Sequence, residues 1–151
     1  MAKRKLTPEF REFLECLNRA EVEYLLVGGF AVNYYGHHRF TEDIDFWIAV
    51  SDENFMRLLA AVRQFFDGDL AGLDLNFLKK NESLYLGRVP DKIEVFQQAS
   101  GVDFSRAYPR RIEGMLEGVS VKVISLADLR ANKQASARHK DLADLEKLPV
   151  A

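Results

Sequence analysis

A chain of 151 residues, 48% apolar and 29% charged, has the size and balance of one soluble folded unit, which excludes a disordered tract or a disulfide-stapled miniature. Its 21 basic and 23 acidic side chains leave a formal charge of −2, so no global field draws it to nucleic acid or an anionic membrane, and any polyanion must be met by a local patch. No long apolar span or signal-peptide pattern occurs, although Lys3, Arg4 and Lys5 make the start basic; the cytoplasm is the expected compartment, with no membrane role.

Thr7-Pro8 predicts a helix N-cap followed by proline in the first turn, and Phe10, Phe13, Leu14 and Leu17 then repeat at helical spacing. The lone Cys16 on this helix excludes an intrachain disulfide, and with no activating neighbour in sight the thiol is assigned to packing. Residues 24–27 read as a short buried strand closed by Gly28-Gly29, and Ala31, Val32, Tyr34 and Tyr35 as a brief helix ending near Gly36. Residues 43–50 make a second strand; Ser51 or Asp52 then caps a helix on which Phe55, Leu58, Leu59, Val62 and Phe66 keep the helical period.

Residues 67–83 give weak signals, with a short helix around Leu75 and Leu78. Residues 84–89 and 92–96 read as strands joined by a Pro90-Asp91 turn, and Arg106, Tyr108, Arg110 and Arg111 as a basic loop or short helix, either solvated or set to meet an RNA backbone. Residues 119–124 alternate as a strand, and Ser125 with Asp128 has capping-box spacing for a helix through about Ala137. A last helix begins near Lys140, turns Leu142, Leu145 and Leu148 inward and stops at Pro149. Strands and helices interleave without strict alternation, which predicts an α+β fold, a mixed β-sheet with helices packed against it, as one domain over residues 1–151.

The chemistry concentrates in residues 25–48. Alternate side chains of a strand share a face, so Asp43 and Asp45 project together while Ile44 and Phe46 take the other side. Neighbouring carboxylates repel, and a strand otherwise suited to burial tolerates them poorly without a cation between them; magnesium, which prefers hard oxygen ligands, is the candidate. The alternative is an edge strand with both acids in solvent. Gly28-Gly29, after a strand and before a helix, is either a plain turn or a place where backbone amides approach phosphate. Glu94, between Ile93 and Val95, would add a third carboxylate if its strand lies beside the first.

Four weaker signals accompany these. Lys133 reads as a phosphate-neutralising cation or a solvated helix lysine, and Arg39 and Thr41 as phosphate contacts or braces of their loop. Arg138 and Lys140 with Asp141 and Asp144 read as an ion-pair cluster holding the last helix, and His37-His38, lacking the spaced partners of a zinc site, as a polar helix end.

In order, spacing and flanking hydrophobicity, Gly28-Gly29, Asp43-Ile44-Asp45 and Glu94 resemble the signature of the DNA polymerase β-like nucleotidyltransferase superfamily. More narrowly, Arg39-Phe40-Thr41-Glu42-Asp43-Ile44-Asp45 and Ser125-Leu126-Ala127-Asp128-Leu129, followed by Lys133, Arg138, Lys140, Asp141 and Asp144, are similar to small bacterial nucleotidyltransferases. That subgroup includes resistance-type enzymes and the toxins of abortive-infection and toxin-antitoxin systems.

The resemblance implies a nucleotidyltransferase fold and transfer of a nucleoside monophosphate from an NTP, ATP or CTP, to a hydroxyl of an RNA or tRNA end, a protein or a small molecule, with an antitoxin-like protein as partner. It implies Mg²⁺ or Mn²⁺ on Asp43, Asp45 and Glu94, the last at a third carboxylate position, where the family more often has aspartate, that ligates a second metal and helps deprotonate the acceptor hydroxyl. Gly28 and Gly29 would bind nucleotide phosphates through their amides, and Arg39, Thr41 and Lys133 would be further nucleotide contacts. The glutamate keeps a second expectation open, a degenerate module that binds nucleotide or a protein partner without turnover.

Overall fold

In the computed structural model, residues 6–68, 72–87 and 91–151 are described; Lys3, Arg4, Lys5 and the Pro90 of the expected turn lie outside them, as do residues 88–89 of the expected strand. In chain order the helices are α1 (Pro8–Arg19), α2 (Gly28–Tyr34), α3 (Asp52–Phe65), α4 (Leu75–Lys80), α5 (Phe104–Ala107), α6 (Leu126–Ser136) and α7 (His139–Lys147). The strands are β1 (Tyr24–Val27), β2 (Asp43–Ile48), β3 (Ser83–Leu86), β4 (Lys92–Phe96), β5 (Ile112–Leu116) and β6 (Val119–Val123).

These strands form one mixed sheet in the order β3-β4-β2-β1-β6-β5. β1 and β2 are antiparallel, whereas β4 lies parallel to β2 and β6 parallel to β1; β3 and β5 close the two edges in antiparallel pairs. β2, read from sequence as strand 43–50, ends at Ile48 and occupies the interior of the sheet, so the edge-strand alternative for its aspartates is set aside.

Local signals fix the helices that cover one face. Thr7 Oγ1 accepts the Phe10 N–H at 3.1 Å with Pro8 in the first turn, and Ser51 Oγ accepts the Asn54 N–H at 3.1 Å to start α3. Phe13 of α1 meets Phe46 of β2 and Phe65 of α3, and Tyr24 of β1 meets Phe46 edge-on. Tyr24, Leu26, Ile44, Phe46 and Ile48 therefore form the layer beneath α1 and α3. Cys16 is buried on α1, and burial raises its thiol, in keeping with packing. On the other face Trp47 packs edge-on to Phe104 of α5, whose ring stacks on Tyr108. Since side chains two apart share a face, Asp43 and Asp45 belong to this second face.

Two features differ from the sequence reading. β5 was not foreseen, because Ile112 and Met115 are exposed on an edge and no alternation shows; the hairpin to β6 turns on Glu117 and Gly118, both at positive φ. In α7, Leu142 is 46% exposed, while Asp141 and Asp144 point inward and are buried. The inward leucine stripe is corrected to Leu148 with partly buried Leu145, and acids take the inner face because cations await them there. No described helix is long and apolar enough to cross a membrane.

Candidate active site

Strand register brings the acidic residues together. Asp45 of β2 lies opposite Glu94 of β4 and opposite Val27 of β1, and Asp43 lies one pleat earlier opposite Lys92. Val27 leads directly into Gly28, so the glycine turn ends beside Asp45. Gly28 has φ +67°, and a Cβ there would overlap Asp45 Oδ2; a Cβ on Gly29 would come within 2.6 Å of Thr41 Oγ1. Thr41 Oγ1 in turn donates to the Asp43 carbonyl at 3.1 Å. Both glycines are thus required by the carboxylate strand and the loop that enters it.

A cavity of ≈ 250 Å³ opens over this point. Gly28 and the carboxylates of one sheet face, Asp43, Asp45 and Glu94, form its floor, and Tyr85, Phe96 and the cations Lys133, Arg138 and Lys140 also line it. Ser83 Oγ donates to Glu94 Oε2 at 2.7 Å. The Tyr85 hydroxyl is raised by its hydrogen bond to Glu94 and by that carboxylate's charge. Burial, then the charges of Glu94 and Asp43, push the Asp45 carboxyl well above the ordinary 3.8, with Lys140 partly opposing them. A cation on these oxygens would remove the conflict.

Among the described residues no three carboxylate, imidazole or thiolate groups already surround one point as metal ligands. The donor set still suits a hard divalent ion. Asp43 and Asp45 are oxygen donors on one face, Gly28 lets the backbone come directly against the Asp45 carboxylate, and magnesium is ordinarily held by one or two carboxylates with substrate phosphates completing its shell.

The remaining expected residues lie elsewhere. Arg39 makes a fork to Asp144, Nε to Oδ1 at 2.7 Å and Nη2 to Oδ2 at 2.9 Å, and so braces its loop instead of lining the cavity. Thr41 is occupied with Gly29 and Asp43, as above. Lys133 borders the cavity, but its side chain is only 4% exposed and its ammonium lies 3.2 Å from Asp141 Oδ1 and 3.1 Å from Asp144 Oδ2. The expected cluster of Arg138, Asp141 and Asp144 is present, with Arg138 Nε 2.7 Å from Asp141 Oδ2, and is enlarged by Lys133, Arg39 and Ser136. Lys140 is the correction: it faces the cavity, and the cations inside the cluster are Lys133, Arg39 and Arg138. His37 Nε2 sits 4.0 Å from Asp144 Oδ1.

Sequence reasoning missed Lys140, Tyr85 and Ser83 as neighbours of the carboxylates. No local signal singled out Lys140: it stands one turn before Asp144 on the same side of the helix, and only the packing of α7 brings it to the cavity. The basic loop is engaged internally, with Arg110 forked onto Asp128 at 2.8 and 3.1 Å, and Arg111 bound to Glu113 at 2.7 Å and lying 4.0 Å over the Tyr108 ring. A larger cleft of ≈ 630 Å³ lies at the far end of β2, beside Trp47, Phe104 and Tyr108. The carboxylates and cations converge on the smaller cavity, which makes it the candidate site.

Three solved structures share the fold. The antibiotic-resistance factor ANT(2'')-Ia is 15% identical with a TM-score of 0.59, covering 91% of this chain and 79% of its own. An antigenic nucleotidyltransferase-like protein from Paracoccidioides brasiliensis is 19% identical, TM-score 0.54, covering 95% and 77% respectively. A Thermotoga maritima protein is 13% identical, TM-score 0.51, covering 91% and 86%. These confirm the expected α+β nucleotidyltransferase fold. No curated protein matches the sequence. The model of the nucleotidyl transferase AbiEii toxin family, of type IV toxin-antitoxin systems, matches residues 12–148, nearly the whole chain, and the protein belongs to that family and is a nucleotidyltransferase.

Proposed function

We propose that the cavity over Asp43, Asp45 and Glu94 transfers a nucleoside monophosphate from an NTP, ATP or CTP, to a hydroxyl of an RNA or tRNA end, a protein or a small molecule, in the cytoplasm. The observation that carries this reading is the Asp45/Glu94 register, with Asp43 on the same face and the Gly28 turn against Asp45. Asp43 and Asp45 would hold Mg²⁺ or Mn²⁺, which when bound supplies charge neutralisation at the triphosphate. The Gly28-Gly29 amides approach the phosphates where no side chain intervenes. Glu94 accepts the proton of the acceptor hydroxyl, whose oxygen forms a bond to the α-phosphorus while the bond to the β-phosphate oxygen breaks and pyrophosphate leaves. Ser83 and Tyr85 hold Glu94 through hydrogen bonds that the carboxylate accepts. An antitoxin-like protein is the partner this reading expects from the family.

The test is to incubate the purified protein with labelled NTPs, Mg²⁺ or Mn²⁺ and tRNA, protein and hydroxylated small-molecule acceptors, following pyrophosphate release and label on the acceptor. Turnover that disappears in Asp43→Ala and Asp45→Ala supports the reading, and full activity in both sinks it. A second reading, a binding module without turnover, draws on Glu94 being a glutamate committed to Ser83. Calorimetry that detects nucleotide binding with no pyrophosphate under any of these conditions would favour it.

A further inference from the structure

The proposed reaction brings a polyanion to a floor made of three carboxylates, so the cavity needs cations beyond those its metal supplies. Lys133, the lysine singled out from sequence, is poorly placed to provide one. Its ammonium is buried between Asp141 and Asp144, and those two acids also hold Arg138 and Arg39. Withdrawing Lys133 toward a ligand would leave two buried carboxylates short of a partner, a costly exchange.

The start of α7 offers a better source. Arg138 is its N-cap residue, and Asp141 accepts both the Arg138 backbone N–H at 3.2 Å and its Nε at 2.7 Å, which fixes this turn against the buried cluster. Lys140 therefore leaves a rigid turn. It is exposed, lines the cavity, and among the described residues takes part in none of the ion pairs of the cluster. The Arg138 side chain is 61% exposed and also lines the cavity. Both charges are felt at the floor: Lys140 lowers the Asp45 carboxyl, and Asp45 and Glu94 help raise Arg138.

We infer that Lys140, with Arg138 beside it, binds the terminal phosphates of the donor nucleotide, while Lys133 serves as an internal brace of α6 and α7. This deepens the proposed function and rests on it. The shared chemistry is a β,γ-diphosphate, which distinguishes a nucleoside triphosphate from its monophosphate and makes the pair a determinant of donor recognition and pyrophosphate departure.

The experiment is isothermal titration of the full chain, in Mg²⁺, with ATP, CTP, inorganic tripolyphosphate and AMP, for wild type, Lys140→Gln, Lys140→Arg and the control Lys147→Gln, an exposed lysine at the other end of the helix. Lys140→Gln is expected to weaken the bound triphosphate and tripolyphosphate by about tenfold, with AMP unchanged, Lys140→Arg near wild type and Lys147→Gln without effect. Lys140→Gln keeps the wild-type melting temperature, whereas Lys133→Met lowers it. Wild-type affinity for triphosphate in Lys140→Gln, or equal weakening of AMP and triphosphate, overturns this inference and leaves the proposed function standing. A wild-type protein that binds no nucleoside triphosphate overturns the proposed function itself.

Discussion

Asp45 and Glu94 face each other across two parallel strands, each carboxylate on the face of the sheet away from α1 and α3. Such a pair is unfavourable in an otherwise apolar sheet, and its expense is legible in the raised Asp45 carboxyl, caused first by burial and then by Glu94 and Asp43. Replacing the acid should therefore separate stability from activity. Asp45→Asn is expected to melt at the same temperature as wild type or higher in the absence of metal, while turnover falls at least about a thousandfold. Differential scanning calorimetry in EDTA beside a pyrophosphate-release assay checks both arms; a large drop in melting temperature would show that the carboxylate is structural.

Gly28 and Gly36 both have positive φ, at +67° and +104°, but only Gly28 has a neighbour in the way of a side chain. Alanine at Gly36 should cost about 1 kcal/mol of conformational strain and leave turnover intact. Alanine at Gly28 meets the same strain and also displaces the Asp45 carboxylate, so its loss of stability should be larger, about 2 to 3 kcal/mol, and accompanied by loss of turnover. Urea denaturation with parallel assays separates the two positions, and equal behaviour would mean that the turn is not coupled to Asp45.

The elements that the sequence disclosed are those whose local chemistry and burial agree. Thr7-Pro8, Ser51 and Ser125 cap helices because their hydroxyls accept backbone N–H groups three residues on, a relation contained in the sequence itself. The period-2 pairing of Asp43 with Asp45 gives a face without tertiary information. That Glu94 belongs to the same face depends on which strand neighbours β2 and in which register, and resemblance to known enzymes supplied that long-range relation. β5 stayed hidden because an edge strand can expose Ile112 and Met115. α7 was misoriented because an acid can take an inward position when distant cations, Arg39 and Lys133, are brought to it. Its helical period was right, but its inner face is offset, so that Asp141 and Asp144 lie inward beside Leu148 while Leu142 is exposed.

The same buried cluster makes an acid-stability prediction with a definite sign. Burial alone would raise Asp141 and Asp144, but hydrogen bonds and charges from Arg138, Ser136 and Lys133 on the first, and Arg39 and Lys133 on the second, outweigh it and hold both below the ordinary 3.8. The folded protein therefore binds fewer protons at these sites than the unfolded chain. Their stabilisation is fully present above the unfolded value and is lost as pH falls through the depressed folded values. Unfolding free energy, measured in urea from pH 7 to pH 2, should hold nearly level at these two sites down to about pH 5 and decline steeply below about pH 4. Asp144→Asn should be less stable at pH 7 by about 3 kcal/mol, because it leaves Lys133 and Arg39 under-partnered in the interior. It should also show a shallower acid decline, since one of the two titrating groups is gone. An Asp144→Asn profile parallel to that of wild type across the acid range would remove Asp144 from the acid response and, with it, the latch between Arg39 and α7 as a source of stability.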